Sequence, residues 1–428
     1  MNKKITIRIA GIGMLLFLMH GCQKTEFMPP PEGDKVPYED PGYHHLGALL
    51  AASDYTLFYQ VWQQSNVDSM LIGKTPYTLL VPDNDALNAA GYTEAVISAM
   101  PANEADSLVW LYTINETISK ENLAEAIGSH RAMSLLEHPN WFMAMPYSYD
   151  PTRIRYRYAH YLATENERLL INGVPVGDVA AAMPAANGYM WPLNRMVPKA
   201  DQEFKTVVES DPRFSMLLAL TQRSDSVHDA RYRAFSLLHI GWDPGPEMDN
   251  LRAYYNTMAL TANPYGQHAF NTLFLPVNEA FAAAGFDSVD ELLEWNNRGP
   301  EFLFDPNTWQ ITGGGFPSDT LLSYHWDWGR QNLPYSGSWG KAPKPTPTVF
   351  YVNDLRDELL GNYLINNEVG LMEYVMPFQY GKDADGRVLV QLKGSDAPPA
   401  TIIETINTGL GPIHVVDRLF IPKDFKLN

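Results

Sequence analysis

The sequence predicts an α+β protein built from two related modules in tandem, placed behind an export signal and a proline-rich tether. Three observations carry this. A sixteen-residue block with the pattern strand, turn, short helix, stop occurs twice in the chain. Amphipathic helical stretches, Gly47 to Gln63 and Phe204 to Thr221, precede the two blocks, and alternating strand-like stretches such as Arg387 to Leu392 follow. A short apolar run at the N-terminus is flanked by cations on one side and a lone cysteine on the other.

The N-terminal signal reads in order. Lys3, Lys4 and Arg8 make a positive start, and Ile9 to Met19 is an apolar run too short for a permanent membrane helix. It ends at Met19-His20-Gly21-Cys22, which resembles the lipobox of bacterial lipoproteins. There the peptide is cut before the cysteine and the thiol is linked to diacylglycerol. The alternative is an ordinary signal peptide with an incidental cysteine. Met19 and His20 depart from the usual Leu and small residue. Cys22 is the only cysteine of 428 residues, so an intrachain disulfide is impossible. Removing residues 1–21 takes three positive charges and moves the formal net charge from −18 to −21. Such a chain is a poor partner for nucleic-acid phosphate, which demands clustered Lys and Arg. Residues 22–43 hold Pro29-Pro30-Pro31 and Pro37 and read as an extended tether.

The repeat organises the rest. Thr78 to Thr93 aligns without gaps to Thr272 to Asp287, with eight of sixteen positions identical. Four apolar or β-branched residues form a short buried strand. Pro82 or Pro276 ends it. Asn84 or Asn278 is expected to cap the following helix, and Gly91 or Gly285 to end it in a left-handed conformation. Asp85 and Glu279 read as first-turn carboxylates facing the helix dipole. Two weaker correspondences follow. Leu108 to Tyr112 sits after the first block as Leu321 to Tyr324 sits after the second. The segment Asn187 to Pro198 parallels Gly411 to Pro422, with one extra residue before the final proline.

These three blocks, in this order, resemble the fasciclin domain. The first resembles that family's opening motif. Tyr324-His325 resembles its central Tyr-His pair, and Ile413-His414-Val415-Val416-Asp417-Arg418-Leu419-Phe420-Ile421-Pro422 its closing strand. In the first copy Thr113 replaces the first histidine and Trp191 the second. The resemblance implies two fasciclin-like domains, residues 44–200 and 201–428, each a twisted β-sandwich or wedge with short helices packed at one side. It implies contact with a protein or glycan at a cell surface, without catalysis and without a cofactor. Tyr324, His325, His414 and Asp417 are its motif residues here. The family links the Tyr-His pair with adhesion, yet the pair also suits a core role. With the lipobox, the chain looks like a tandem fasciclin-domain lipoprotein of the kind found in Bacteroidota, anchored in the outer membrane. Surface exposure and the periplasmic face both remain open, since Cys22-Gln23-Lys24-Thr25-Glu26 offers one acidic residue near the anchor.

The second module carries a surplus near residues 225–268, with Trp242-Asp-Pro-Gly-Pro246 and Tyr254-Tyr255. An insertion of this length is either a functional loop or disordered, and its aromatic content favours a partner-facing loop. No metalloprotease, phosphate-loop or nucleophile-elbow motif is present. Thr312-Gly313-Gly314-Gly315 reads as a turn, and His44-His45 as solvated. Asp383-Ala-Asp-Gly386 reads as a hairpin turn, because the Glu that a calcium loop requires is missing. Candidate contacts are two sets. Arg153, Arg155 and Arg157 alternate with Ile154, Tyr156 and Tyr158, which places the arginines on one strand face. That stripe fits a carboxylate-bearing glycan or acidic partner, or else a solvated face paired with acids such as Asp150 and Glu165. Trp242, Trp326 and Trp328 are candidates for stacking on sugars, Trp326 and Trp328 sharing a face if their segment is a strand. They support a second functional expectation, an accessory glycan-capture subunit of an outer-membrane nutrient importer.

Overall fold

Repeated sequence produces repeated local structure. The protein is described by a computed structural model over residues 43–71, 76–143, 155–241, 267–268, 270–308, 310–326, 328, 348–368 and 372–427. Cys22, Arg153 and Trp242 lie outside the described residues. In the first module the strands are β1 (Tyr77–Pro82), β2 (Thr113–Ile114), β3 (His130–Met143), β4 (Arg155–Glu165), β5 (Arg168–Ile171), β6 (Val174–Asp178), β7 (Met183–Ala185) and β8 (Gly188–Leu193). The second has β9 (Gln267–His268), β10 (Leu273–Pro276), β11 (Leu303–Asp305), β12 (Gln310–Thr312), β13 (Leu364–Glu368), β14 (Met372–Val375), β15 (Phe378–Lys382), β16 (Val388–Leu392), β17 (Ala400–Thr408) and β18 (Gly411–Val416).

The architecture is α+β. The first sheet runs β6-β5-β4-β3-β2-β1-β8-β7, and the second β10-β18-β17-β16-β15. Two separate hairpins, β11–β12 and β13–β14, complete the second module. Both modules close in the same way. The strand of the repeated block pairs in parallel with the last strand, β1 with β8 and β10 with β18. In each the last strand also pairs antiparallel with the strand before it, β7 or β17. The register is equivalent too: Leu80 lies opposite Trp191, and Phe274 opposite His414. All six residues of β1 and all four of β10 are buried, as expected of a strand covered on both faces.

The helices correct the sequence reading in three places. The stretch Gly47 to Gln63 forms two helices, Leu46–Ala51 and Thr56–Gln64. Ser53 separates them, since its hydroxyl donates to Leu50 O at 2.7 Å and accepts from Tyr55 N. The stretch from Phe204 also breaks, into Phe204–Ser210 and Ser215–His239, across a 3₁₀ turn at Pro212–Phe214. The second of these helices runs 25 residues, so the first part of the expected insertion continues a helix and is no loop.

The third correction concerns Asn84 and Asn278. Asp83 caps the helix Asn84–Ala89, its side chain accepting from Ala86 N, and Val277 precedes Asn278–Ala283 with no side-chain cap. The asparagines instead reach back to the helix that leads each module. Asn84 Oδ1 accepts from Leu57 N at 3.0 Å, while its amide donates to Asp54 O and Thr56 Oγ1. Asn278 Oδ1 accepts from Met216 N at 2.9 Å, while its amide donates to Pro212 O and Ser215 Oγ. Each therefore caps a helix that lies before it in the chain. Gly91 and Gly285 do end their helices as expected, with φ of 90° and 93°. The amides of Tyr92 and Phe286 close the same turn onto Leu87 O and Phe281 O.

Residues His44–Asn428 make one compact unit. One hydrophobic core runs from Leu46 through the first module to Leu419, taking in Leu273, Leu275, Ile413 and Val415. A second core, around Phe274, Trp328, Phe378, Val416 and Phe420, lies within the second module. Alternate residues of β10 and β18 thus serve different cores, which follows from the two-residue strand period.

Replacing Asn84 or Asn278 by Ala is expected to destabilise the protein by about 1–2 kcal/mol each through the lost cap. Urea unfolding of each variant checks this. A loss confined to the helix that follows the asparagine, measured by amide exchange, would contradict the assigned role.

Candidate functional site

The family-motif residues converge on the closing strand of each module. In the second module His325 ends the helix Pro317–Trp326 and is fully buried. Its Nδ1 lies 2.7 Å from Phe274 O, and its Nε2 accepts from Phe420 N at 3.1 Å. A carbonyl on one side and an amide N–H on the other assign the tautomer: Nδ1 carries the proton and donates. The ring stacks on Phe420 at 4.5 Å. His414, in β18, is also fully buried. Its Nε2 lies 3.0 Å from Phe350 O and its Nδ1 2.9 Å from Thr405 Oγ1. Here Nε2 donates to the carbonyl and Nδ1 accepts from the hydroxyl. Asp417 accepts from Thr401 N at 2.6 Å, and Tyr324 is partly buried against the second core.

The first module performs the same tasks with other residues. Thr78 and Thr272 are equivalent in the repeat. Thr78 Oγ1 donates to Glu116 O and accepts from Ile118 N; Thr272 Oγ1 donates to Thr348 O and accepts from Phe350 N. The carbonyl of Ile118 accepts from Trp191 Nε1 at 2.8 Å, just as that of Phe350 accepts from His414. The amide of Val197, equivalent to that of Phe420, donates to Tyr112 OH at 2.8 Å. Trp191 therefore replaces His414, and Tyr112 replaces His325, at matching backbone groups. Thr113 itself donates to Val109 O. No sequence pattern reveals that Tyr112 takes this task, because its partner is set by the fold.

Other candidates are placed as follows. Trp326 and Trp328 are each 4% exposed, Trp326 at a helix end, so neither presents a face for stacking. Their segment is not a strand, and Trp328 packs on Phe274, Phe350 and Phe378. Arg155 and Arg157 lie in β4 and alternate with the buried Tyr156 and Tyr158. Arg157 pairs with Glu137 on β3 at 3.0 Å, an acid that is remote in sequence and was not among those anticipated. Arg155 is exposed. His44 and His45 are exposed. Asp383 turns the β15–β16 hairpin, accepting from Asp385 N and Arg387 N while pairing with the Arg387 side chain at 2.7 Å. Gly313 and Gly314 have φ of 79° and 74° in the turn after β12. Among the described residues no three His, Cys, Asp or Glu side chains gather as a metal site. No helix among them is long and apolar enough to cross a membrane.

The junction between modules holds residues that sequence reasoning missed. Asp354 is 1% exposed. Its carboxylate accepts from Ser129 N of the first module at 2.8 Å, from Tyr351 N at 3.0 Å and from Asn353 Nδ2. Burial pushes its carboxyl above the usual range, opposed by these hydrogen bonds. Arg356 donates to Ile127 O, and Asn353 to Ser129 Oγ. On the other side β9 adds in parallel to the end of β3. Phe270 stacks on Tyr156 and lies under Arg131, whose guanidinium is 4.2 Å from the ring centre. Tyr156 OH donates to Gly409 O. A Cβ at Gly409 would meet Trp141 at 2.3 Å and Ala200 O at 2.8 Å, so only glycine lets the modules approach.

Residues 53–196, which span most of the first module, match the fasciclin domain family model. The second, with the same closing pair, register and hydrogen bonds, is fasciclin-like. Among solved structures the chain is similar to a FAS1 domain pair from the insect cell adhesion molecule Fasciclin I. The two are 14% identical over 86% of this chain and 97% of that one, with a TM-score of 0.30. No curated protein matches the chain at a significant level.

Asp354→Ala leaves the amides of Ser129 and Tyr351 without their acceptor. It is expected to lower the unfolding free energy by about 1–3 kcal/mol, measured by urea denaturation. An unchanged midpoint would show that the junction carries no such weight.

Proposed function

We propose that the protein is a non-catalytic envelope protein whose two fasciclin-like modules present one contact surface to a protein or glycan, in an adhesion-type role. The observation that supports this most is the engagement of the motif side chains. His325, His414, Asp417, Trp191 and Tyr112 all hold backbone groups of the fold. Recognition then falls to outer surfaces, and the joined modules keep those surfaces in fixed relation. The arginines of β4, together with Arg153, are the proposed docking site for an acidic partner. Cys22 is the proposed lipid anchor, holding the modules at the outer membrane and facing outward, in the manner of Bacteroidota lipoproteins. The periplasmic face is the alternative.

The second reading, a glycan-capture subunit beside an importer, rests on Trp242, because Trp326 and Trp328 are buried. A glycan array that retains nothing would remove it.

Capture from membranes with the full-length, anchored protein tests the first reading. The expected result is a co-purifying envelope protein or glycan whose recovery falls at least several-fold in an Arg153/Arg155/Arg157→Ala variant. Undiminished recovery removes the arginine site. A Cys22→Ser variant is expected to leave the membrane fraction, and its retention there would argue against the anchor.

A further inference from the structure

The two modules close with the same backbone geometry but with side chains of different acid–base character. In the first, the closing strand is held by the indole of Trp191 and the phenol of Tyr112, neither of which takes up a proton between pH 8 and pH 4. In the second, the same positions are held by the imidazoles of His414 and His325. His325 is the stricter of the two. Its Nε2 is the acceptor for Phe420 N–H, so a proton there sets donor against donor. A proton on His414 Nδ1 meets the Thr405 hydroxyl, which can rotate to accept it, but the charge stays buried.

We propose that acid selectively opens the second module: protonation of His325 and His414 releases β18 and the Phe420 segment from β10, while the β1–β8 closure of the first module does not respond.

The surroundings favour this. Burial drives both imidazoles down to about 4 from an ordinary 6.5, opposed by their carbonyl partners. The groups facing the rings from β10, β17 and the Val349–Tyr351 segment are carbonyls, one hydroxyl and phenyl rings. Among the described residues no carboxylate, amine or guanidinium contributes to either shift. Asp417, the nearest acid in sequence to His414, is turned to Thr401 N. The sign follows from linkage. Each folded-state value lies below the open-state one, so the closed state binds fewer protons. The contribution is fully present above pH 6.5 and is lost as pH falls towards about 4. Between pH 7.5 and pH 5 the closed-to-open ratio falls by about 30-fold per ring. The first module has its own fully buried histidine, His160, also depressed by burial; its ring lies 6.5 Å from that of Tyr112 and it reaches Leu111 O, but neither of its nitrogens holds β1, β8 or Val197.

Hydrogen–deuterium exchange on the full-length protein in detergent, at pH 7.5 and pH 5 and corrected for intrinsic rates, tests the proposal. Peptides covering β10, β18 and Phe420 are expected to lose protection in acid, and those covering β1 and β8 to keep it. Equal loss in both modules, or no loss in either, overturns it. A His325→Asn variant retains a donor for Phe274 O but has no titrating ring. Its protection at pH 7.5 is expected to be lower, with an acid response about 30-fold smaller than the wild type's. If that variant does not fold, the wild-type comparison between modules still decides.

Discussion

The parallel pairing of the repeated-block strand with the last strand of each module, β1 with β8 and β10 with β18, is the constraint on which the rest depends. Parallel strands cannot be joined by a tight turn, so the chain between them must leave the sheet and return. In each module the helix of the repeated block and the strand that pairs antiparallel with the last strand lie inside that excursion, while the leading helix capped by Asn84 or Asn278 lies before it. The pairing also leaves the central strands buried on both faces, so any polar group there must find a partner. Thr78 and Thr272 meet that demand by bridging a carbonyl and an amide of the returning chain. The carbonyl beside that amide then receives the side chain of the closing strand, Trp191 or His414.

Seen from this pairing, the motif histidines are positioning residues. Each ring uses both nitrogens on the fold: His325 ties β10 to the segment after β18, and His414 ties β18 to β17 and to Phe350. The first module reaches the same end with a longer indole and with a tyrosine one residue earlier than the replaced histidine. The substitution works because the requirement is for a hydrogen-bonding atom at a place in space. The chain position that supplies it is free to vary.

The module junction follows a different logic. It joins a buried carboxylate, an aromatic seam and a short added strand. A buried carboxylate is costly unless its oxygens are satisfied, and Asp354 is satisfied only when the first module supplies Ser129 N. The glycine at 409 and the stacking of Phe270 on Tyr156 close the other side. The hydrophobic core that continues from Leu46 to Leu419 makes the pair one unit, with no flexible string between the modules. A surface formed by both modules therefore keeps its geometry without a partner to order it.

The sequence by itself determined the duplicated strand–proline–helix block, the glycine-terminated helices and the alternation of Arg155 and Arg157 with Tyr156 and Tyr158. Each depends on local backbone geometry or on strand period, which neighbouring residues set. It also showed where the first module departs from the second, at Thr113 and Trp191. Only the tertiary structure decided what those residues do. Asn84 and Asn278 were legible as caps, but the helix they cap is brought to them by packing and is not the next in the chain. Trp326 and Trp328 had the composition of a sugar platform, but the cores claimed them: Trp326 ends a helix packed in the first core, and Trp328 packs on Phe274 of β10 in the second. The pairing of Arg157 with Glu137 and the burial of Asp354 against Ser129 join residues far apart in sequence. No local pattern encodes such contacts, since they exist only once the strands are registered and the modules docked.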